Sequence, residues 1–174
     1  MNLIKKLHLY GITKKICIIM VNYVFTGTSK FNCKIKRKLL NVLGYKIGDN
    51  TTIVGPIDLR GNLIVGKNCW VGKNLKINGN GTVIIGDNCD LGPEITFQTG
   101  GHKIGTSERR AGEGISFVQK VGSGTWVGGR VTICNETQIG KGCIIAACAC
   151  VIKDVSDNTL VGGVPAREIR RLDT

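Results

Sequence analysis

Residues 121–151 read VGSGTWVGGRVTICNETQIGKGCIIAACACV, and within them Val121, Val127, Ile133, Ile139, Ile145 and Val151 recur at every sixth position without a slip. Upstream the same count runs through Ile47, Ile53, Leu59, Val65, Val71 and Ile77. After a two-residue slip at Gly79-Asn80-Gly81 it continues through Ile85, Leu91 and the aromatic Phe97. Fourteen of these fifteen positions are Val, Ile or Leu, and glycine follows at eight of them. A period of six matches neither the 3.6 of a helix nor the 2 of a single strand. It matches a coil of three hexapeptides per turn, in which residues eighteen apart stack at the strand spacing of about 4.8 Å and each aliphatic side chain lands on its predecessor inside a triangular prism. Internal repetition of this kind decides the fold before local propensity does.

Composition agrees with such a prism. The 174 residues are 42% hydrophobic but only 5% aromatic, as a narrow interior requires, and most of the 25 glycines inside the repeats fall in phase, where they read as corners. Eight cysteines raise the question of disulfides or metal. Cys69, Cys89 and Cys143 occupy the small interior position that Thr51, Thr125 and Ala149 hold in other hexapeptides, so they read as fillers. Cys134, Cys148 and Cys150 lack the second pair or the nearby histidine that a tetrahedral zinc site needs. Each is expected to be a small buried hydrophobe, with no metal bound, and so many free thiols point to a reducing, cytoplasmic setting.

Charge is concentrated at one end. Residues 1–46 hold ten Lys or Arg and no Asp or Glu, whereas the rest is near balance. Two stretches of this arm read as short amphipathic helices: one with Ile12, Ile16, Ile19 and Met20 on one side among lysines, the other with Ile35, Leu39 and Val42 at i, i+4, i+7. The second is expected to cap the open end of the prism. The first is expected to contact an anionic membrane surface through residues 1–25, since its apolar run is too short to span a bilayer. Its His8 reads as solvated or interfacial. Nucleic acid is not expected as a partner, because the near-neutral body offers no basic groove with interleaved aromatics.

The count breaks between Phe97 and Val121, at a loop of about twenty residues rich in glycine and charge that opens at His102, one of two histidines in the chain. Long loops inside a compact fold are commonly functional. An imidazole, which titrates near neutral pH, is suited to take a proton from a hydroxyl. On the far side of the break, Gly129 and Ala147 lie eighteen residues apart, so their backbone N–H groups stack one coil above the other.

The stretches TGGHKIG (99–105), VGSGTWVGGRVTI (121–133) and VGGVPAREIR (161–170) resemble the hexapeptide-repeat acyltransferases, nearest to their small sugar O-acetyltransferase branch, over roughly residues 40–172. The resemblance implies an all-β, left-handed parallel β-helix with an N-terminal helical segment, one long excursion loop and a short C-terminal helix. The expected divisions are a helical arm over 1–46, the β-helix over 47–156 with the loop at 100–120, and a tail over 157–174. It implies acetyl-CoA-dependent O-acetylation of a sugar hydroxyl, plausible in surface polysaccharide synthesis, with His102 as general base. Coenzyme A is implied along Trp126, Gly129 and Ala147, with Lys153, Arg167 and Arg170 at its nucleotide end. Acceptor contacts are sought among Asn78, Asn80, Asp90, Glu94 and Gln98, and a group to orient His102 among Glu94, Glu108, Glu113 or a backbone carbonyl. Relatives form homotrimers whose sites draw on adjacent chains. They also usually carry glycine where this chain has Ala146 and Cys148. A cytoplasmic enzyme, held at the inner face of the membrane by its arm, is the expectation. A γ-class carbonic anhydrase is excluded for want of a third histidine. The alternatives left are acetylation of an antibiotic of the streptogramin or chloramphenicol type and a purely structural β-helix.

Overall fold

The computed structural model describes the backbone of residues 3–173 and the side chains of residues 11–173. Three parallel sheets form the faces of a solenoid. The first carries Lys46–Ile47, Asn62–Val65, Thr82–Ile85, Val118–Val121 and Gln138–Ile139. The second carries Thr52–Ile53, Trp70–Val71, Asp90–Leu91, Trp126–Val127, Ile144–Ile145 and Thr159–Gly163. The third carries Ile57–Leu59, Leu75–Asn78, Thr96–Gln98, Thr132–Ile133 and Cys150–Val151. Paired residues are eighteen apart in regular coils (Thr52 with Trp70, Trp126 with Ile144), twenty apart across the slip (Trp70 with Asp90) and thirty-six apart across the break (Asp90 with Trp126). All fifteen residues of the six-count are buried, none more than 7% exposed, so the period is the core.

A second interior column runs up the corner between the first and second faces: Thr51, Cys69, Cys89, Thr125, Cys143 and Thr159, all buried. These residues are more than fillers. Thr51 Oγ1 donates to Gly66 O at 2.6 Å and accepts from Cys69 N at 3.1 Å, and Thr125 does the same for Gly140 O and Cys143 N at 2.9 and 3.2 Å. Cys69 Sγ donates to Gly86 O and accepts from Cys89 N. Each corner leaves a carbonyl and an N–H without a strand partner, and a small hydroxyl or thiol serves both. Cys134 and Cys150 are only half-buried and Cys148 is exposed, contrary to expectation, because they stand on the outer side of the third face and at a corner.

The arm comprises helix α1 (Leu3–Ile19), a π-helical turn (Met20–Val24) and helix α2 (Lys30–Val42), the last started by Ser29, whose side chain accepts from Asn32 N. It closes the first coil by mimicking a strand. The Asn41 amide exchanges two hydrogen bonds with the backbone of Ile47, and the Asn22 amide does the same with Ile57. The docked face of α2 centres on Cys33, Lys36 and Leu40, with Leu43 beyond; of the expected Ile35, Leu39 and Val42, Leu39 packs against the core at its margin, while Val42 is exposed. Lys36 makes this possible by burying its stem completely while its ammonium donates to Gly27 O at 2.9 Å and Val54 O at 3.1 Å.

At the other end the expected short helix is a strand. Ala166–Arg171 folds back antiparallel on Thr159–Gly163 through Val164-Pro165. The open edge of the second face supplies hydrogen bonds that outweigh the helical propensity of AREIRR. The excursion is likewise no irregular loop but a hairpin of Gly100–Ile104 with Ala111–Ser116.

Candidate active site

The hairpin is rooted in the slip. At its neck, Thr99 is fully buried; its carbonyl accepts from Phe117 N at 2.8 Å, closing the loop, while its hydroxyl donates to Asn78 O at 3.1 Å and accepts from Gly81 N at 3.3 Å. A Cβ on Gly79, whose φ is +109°, would collide with the backbone of Gly100, where the hairpin departs. A Cβ on Gly81 would collide with the carbonyl of Phe117, where it returns. The two-residue slip and the break in the count are therefore one feature, a widened corner on which the hairpin sits. Gln119, also fully buried, secures the return with Nε2 2.7 Å from Asn135 O, 3.1 Å from Ile133 O and 3.2 Å from Gln98 O, its two N–H groups shared among the three carbonyls.

His102 lies on the outgoing strand of this hairpin, exposed, with Nδ1 2.8 Å from the carbonyl oxygen of Gly112 on the returning strand. A carbonyl can only accept, so Nδ1 carries the hydrogen and, in the neutral ring, Nε2 carries the free lone pair. The orienting group is thus a backbone carbonyl and none of the nearby glutamates. Glu113 pairs with Lys103 at 2.6 Å, and Glu94 with Arg130 at 2.9 Å. A cavity of about 470 Å³ adjoins the ring, lined by Asn78, Asn80, Gln98 and Ser116 together with hairpin glycines. Three of the five proposed acceptor residues therefore gather at His102. Asp90 does not: it stands on the second face, in register between Trp70 and Trp126. Of the expected orienting groups it is the backbone carbonyl that serves, that of Gly112, whereas the roles of Thr99 and Gln119 were not anticipated. The glycines of the slip were the available signal, since Gly81 precedes Phe117 by the same offset that pairs Thr82 with Val118.

The second group of residues lies at the corner between the second and third faces. Trp126 projects from the second face and is 57% exposed. Beyond it, Gly128 N donates to Ile145 O and Arg130 N to Pro93 O. One coil up, Ala146 N donates to Val161 O and Cys148 N to Gly129 O. The intervening N–H groups of Gly129 and Ala147 have no acceptor among the described residues. Pro93 packs against Gly129 from below and has no N–H, so the column of free donors starts at Gly129. Of the two departures from glycine, Ala146 is half-buried with its methyl against Gly162 in the next coil, while Cys148 adopts the left-handed corner conformation (φ +63°) and stays exposed. Arg167 and Arg170 are exposed on the edge strand of the second face, the sheet that carries Trp126, whereas Lys153 leaves the third face just past Val151. Among the described residues no three His, Cys, Asp or Glu side chains form a metal site.

His102 and the Gly129 corner occupy different edges of one prism, the former where the third face passes to the first, the latter where the second passes to the third.

No family profile matches the chain. Galactoside O-acetyltransferase of Escherichia coli is 30% identical over 153 residues, 87% of this chain and 75% of that protein. The solved galactoside acetyltransferase in complex with coenzyme A superposes with a TM-score of 0.80 at 27% identity, covering 99% of this chain and 86% of that one. A hexapeptide-repeat acetyltransferase of Vibrio cholerae complexed with acetyl coenzyme A has the same fold, with a TM-score of 0.80 at 24% identity over 97% of this chain and 90% of that one. The coil is accordingly the left-handed parallel β-helix, and the chain belongs to the hexapeptide-repeat acetyltransferases, in their sugar O-acetyltransferase branch.

Proposed function

We propose that this chain moves the acetyl group of acetyl-CoA to a hydroxyl of a sugar, with His102 as general base. The observation that carries the reading is the Nδ1–Gly112 hydrogen bond, which leaves Nε2 as the ring's proton acceptor beside a cavity edged with amide side chains. A volume of about 470 Å³ suits a small ligand, and Asn78, Asn80 and Gln98 offer donors and acceptors to its hydroxyls. In the reaction, the acceptor oxygen attacks the thioester carbonyl as its proton passes to Nε2. The tetrahedral oxyanion accepts from the Gly129 N–H, and when the C–S bond breaks the imidazolium returns the proton to the coenzyme A thiolate. Ala147 N–H takes an amide of the pantetheine arm, Trp126 packs beside it, and Lys153, Arg167 and Arg170 meet the phosphates.

The separation of the two halves supports a homotrimer. A face of six residues spans up to about 20 Å, so an edge of one chain bearing His102 must meet the Gly129 edge of the next to complete a site. The sugar-acetylating relatives and the basic arm favour a precursor of surface polysaccharide as acceptor. The test is thiol release from acetyl-CoA against a panel of sugars and oligosaccharides. His102→Ala is expected to lose about 10²-fold or more in turnover while still binding coenzyme A, and a variant retaining wild-type turnover would remove His102 from the role.

A further inference from the structure

Helix α1 and the π-helical turn that continues it have two apolar sides. Cys17 and Val21 are buried against the prism. Directly opposite, Ile12, Ile16, Ile19 and Tyr23, spaced four, three and four residues apart and so on one stripe, are 43% to 73% exposed, and Val24 beside them is 60% exposed. No described residue covers this stripe. Five residues farther on, at the start of α2, a cavity of about 520 Å³ is lined by Lys30, Lys34 and Arg37 with Thr28, Asn50 and Thr52, and Phe31 beside it is exposed. The lining contains three cations and no carboxylate.

We infer that the arm is a docking surface for an anionic phospholipid bilayer, with the Ile12–Ile16–Ile19–Tyr23 stripe entering the boundary of the acyl chains and the Lys30–Lys34–Arg37 cavity receiving a lipid phosphate. Charge decides between the occupants. Two copies joined by this stripe would bring together two segments that each carry ten cations and no anion over residues 1–46, whereas an anionic surface complements them. The mode is peripheral, as no helix among the described residues is long and apolar enough to cross a membrane. A lipid-linked acceptor would then be presented at the surface on which the enzyme rests. The inference stands apart from the acyl-transfer reading, since none of these residues is part of the proposed site.

The test is co-sedimentation of the full chain with vesicles of phosphatidylcholine alone or with about 30 mol% phosphatidylglycerol. Binding to the anionic vesicles is expected to exceed that to neutral ones at least about tenfold, and to weaken between about 0.1 M and about 0.5 M salt. The triple variant Ile12→Ser, Ile16→Ser, Ile19→Ser and, separately, Lys30→Glu with Lys34→Glu should each lose about tenfold in binding while keeping the wild-type far-UV spectrum and coenzyme A binding. Wild-type protein left in the supernatant with anionic vesicles overturns the proposal, and so does a folded triple variant that binds as well as wild type. A triple variant that changes the oligomeric mass, with no lipid binding by either protein, would assign the stripe to a second copy instead. Should the serine variant fail to fold, the charge-reversal pair and the wild-type salt dependence carry the decision alone.

Discussion

Replacing Thr99 with valine tests whether the neck of the hairpin positions the catalytic base. Valine keeps the shape of threonine and removes the hydroxyl. Asn78 O retains its bond from Thr99 N, but Gly81 N–H, buried beneath the hairpin, loses its acceptor at 3.3 Å. One lost neutral hydrogen bond and one orphaned buried N–H together cost about 2 kcal/mol. In a domain of this size that lowers Tm by roughly 4–8 °C. His102 is three residues along, so the same change is expected to lower kcat about tenfold through misplacement of the imidazole, with the KM for acetyl-CoA unchanged because the Gly129 corner is on another edge. Thr99→Ser keeps the clasp and loses only a buried methyl, about 1 kcal/mol. It should melt above the valine variant and keep most of its kcat. The assays are thermal unfolding by circular dichroism and steady-state thiol release. A valine variant melting within a degree or so of wild type, or a serine variant that loses as much kcat as valine, would refute the reasoning.

Other outcomes follow from the same geometry. Arg170→Ala should raise the KM for acetyl-CoA several-fold and leave the acceptor KM in place, and equal KM values for wild type and variant would take Arg170 out of the site. Light scattering should give the mass of a trimer, and a monomer with full activity would contradict the division of the site between chains. Burial pushes the ammonium of Lys36 below the usual lysine pKa, with the neighbouring Cys33 opposing the shift. The unfolded chain then binds more protons than the folded one between that depressed pKa and about 10.4, so stability rises with pH across this window. Measured by urea unfolding from neutral pH to about pH 10, the stability of wild type relative to Lys36→Met should climb, and a flat difference would mean that the buried amine keeps its proton in the folded state as it does in the unfolded chain.

The interior column qualifies the idea that cysteine here is only a small hydrophobe. Cys143 N donates to Thr125 Oγ1 while Cys143 Sγ donates to Ser156 O at 3.1 Å, so thiols and hydroxyls serve the same corner column. That is why Thr and Cys interchange at this phase in the sequence.

What the sequence determined by itself was the solenoid. A six-residue aliphatic period has one economical solution, so the fifteen buried core positions, the eighteen-residue stacking and the place of the interruption were all legible, and from that stacking the paired N–H groups of Gly129 and Ala147 could be named. Hydrophobic phase is a local property, carried by each hexapeptide. The tertiary structure decided whatever depends on an edge or a partner far along the chain. The open edge of the second face turned AREIRR into a strand, and the open first coil chose Lys36 over Val42 as the docked side of α2. Residues 79–81 read as a mere slip until they were seen beneath Thr99 and Phe117, and the group that orients His102 is a backbone carbonyl, which no side-chain pattern can announce. Such choices are made by unsatisfied backbone hydrogen-bonding groups, and their partners are known only once the coils are stacked.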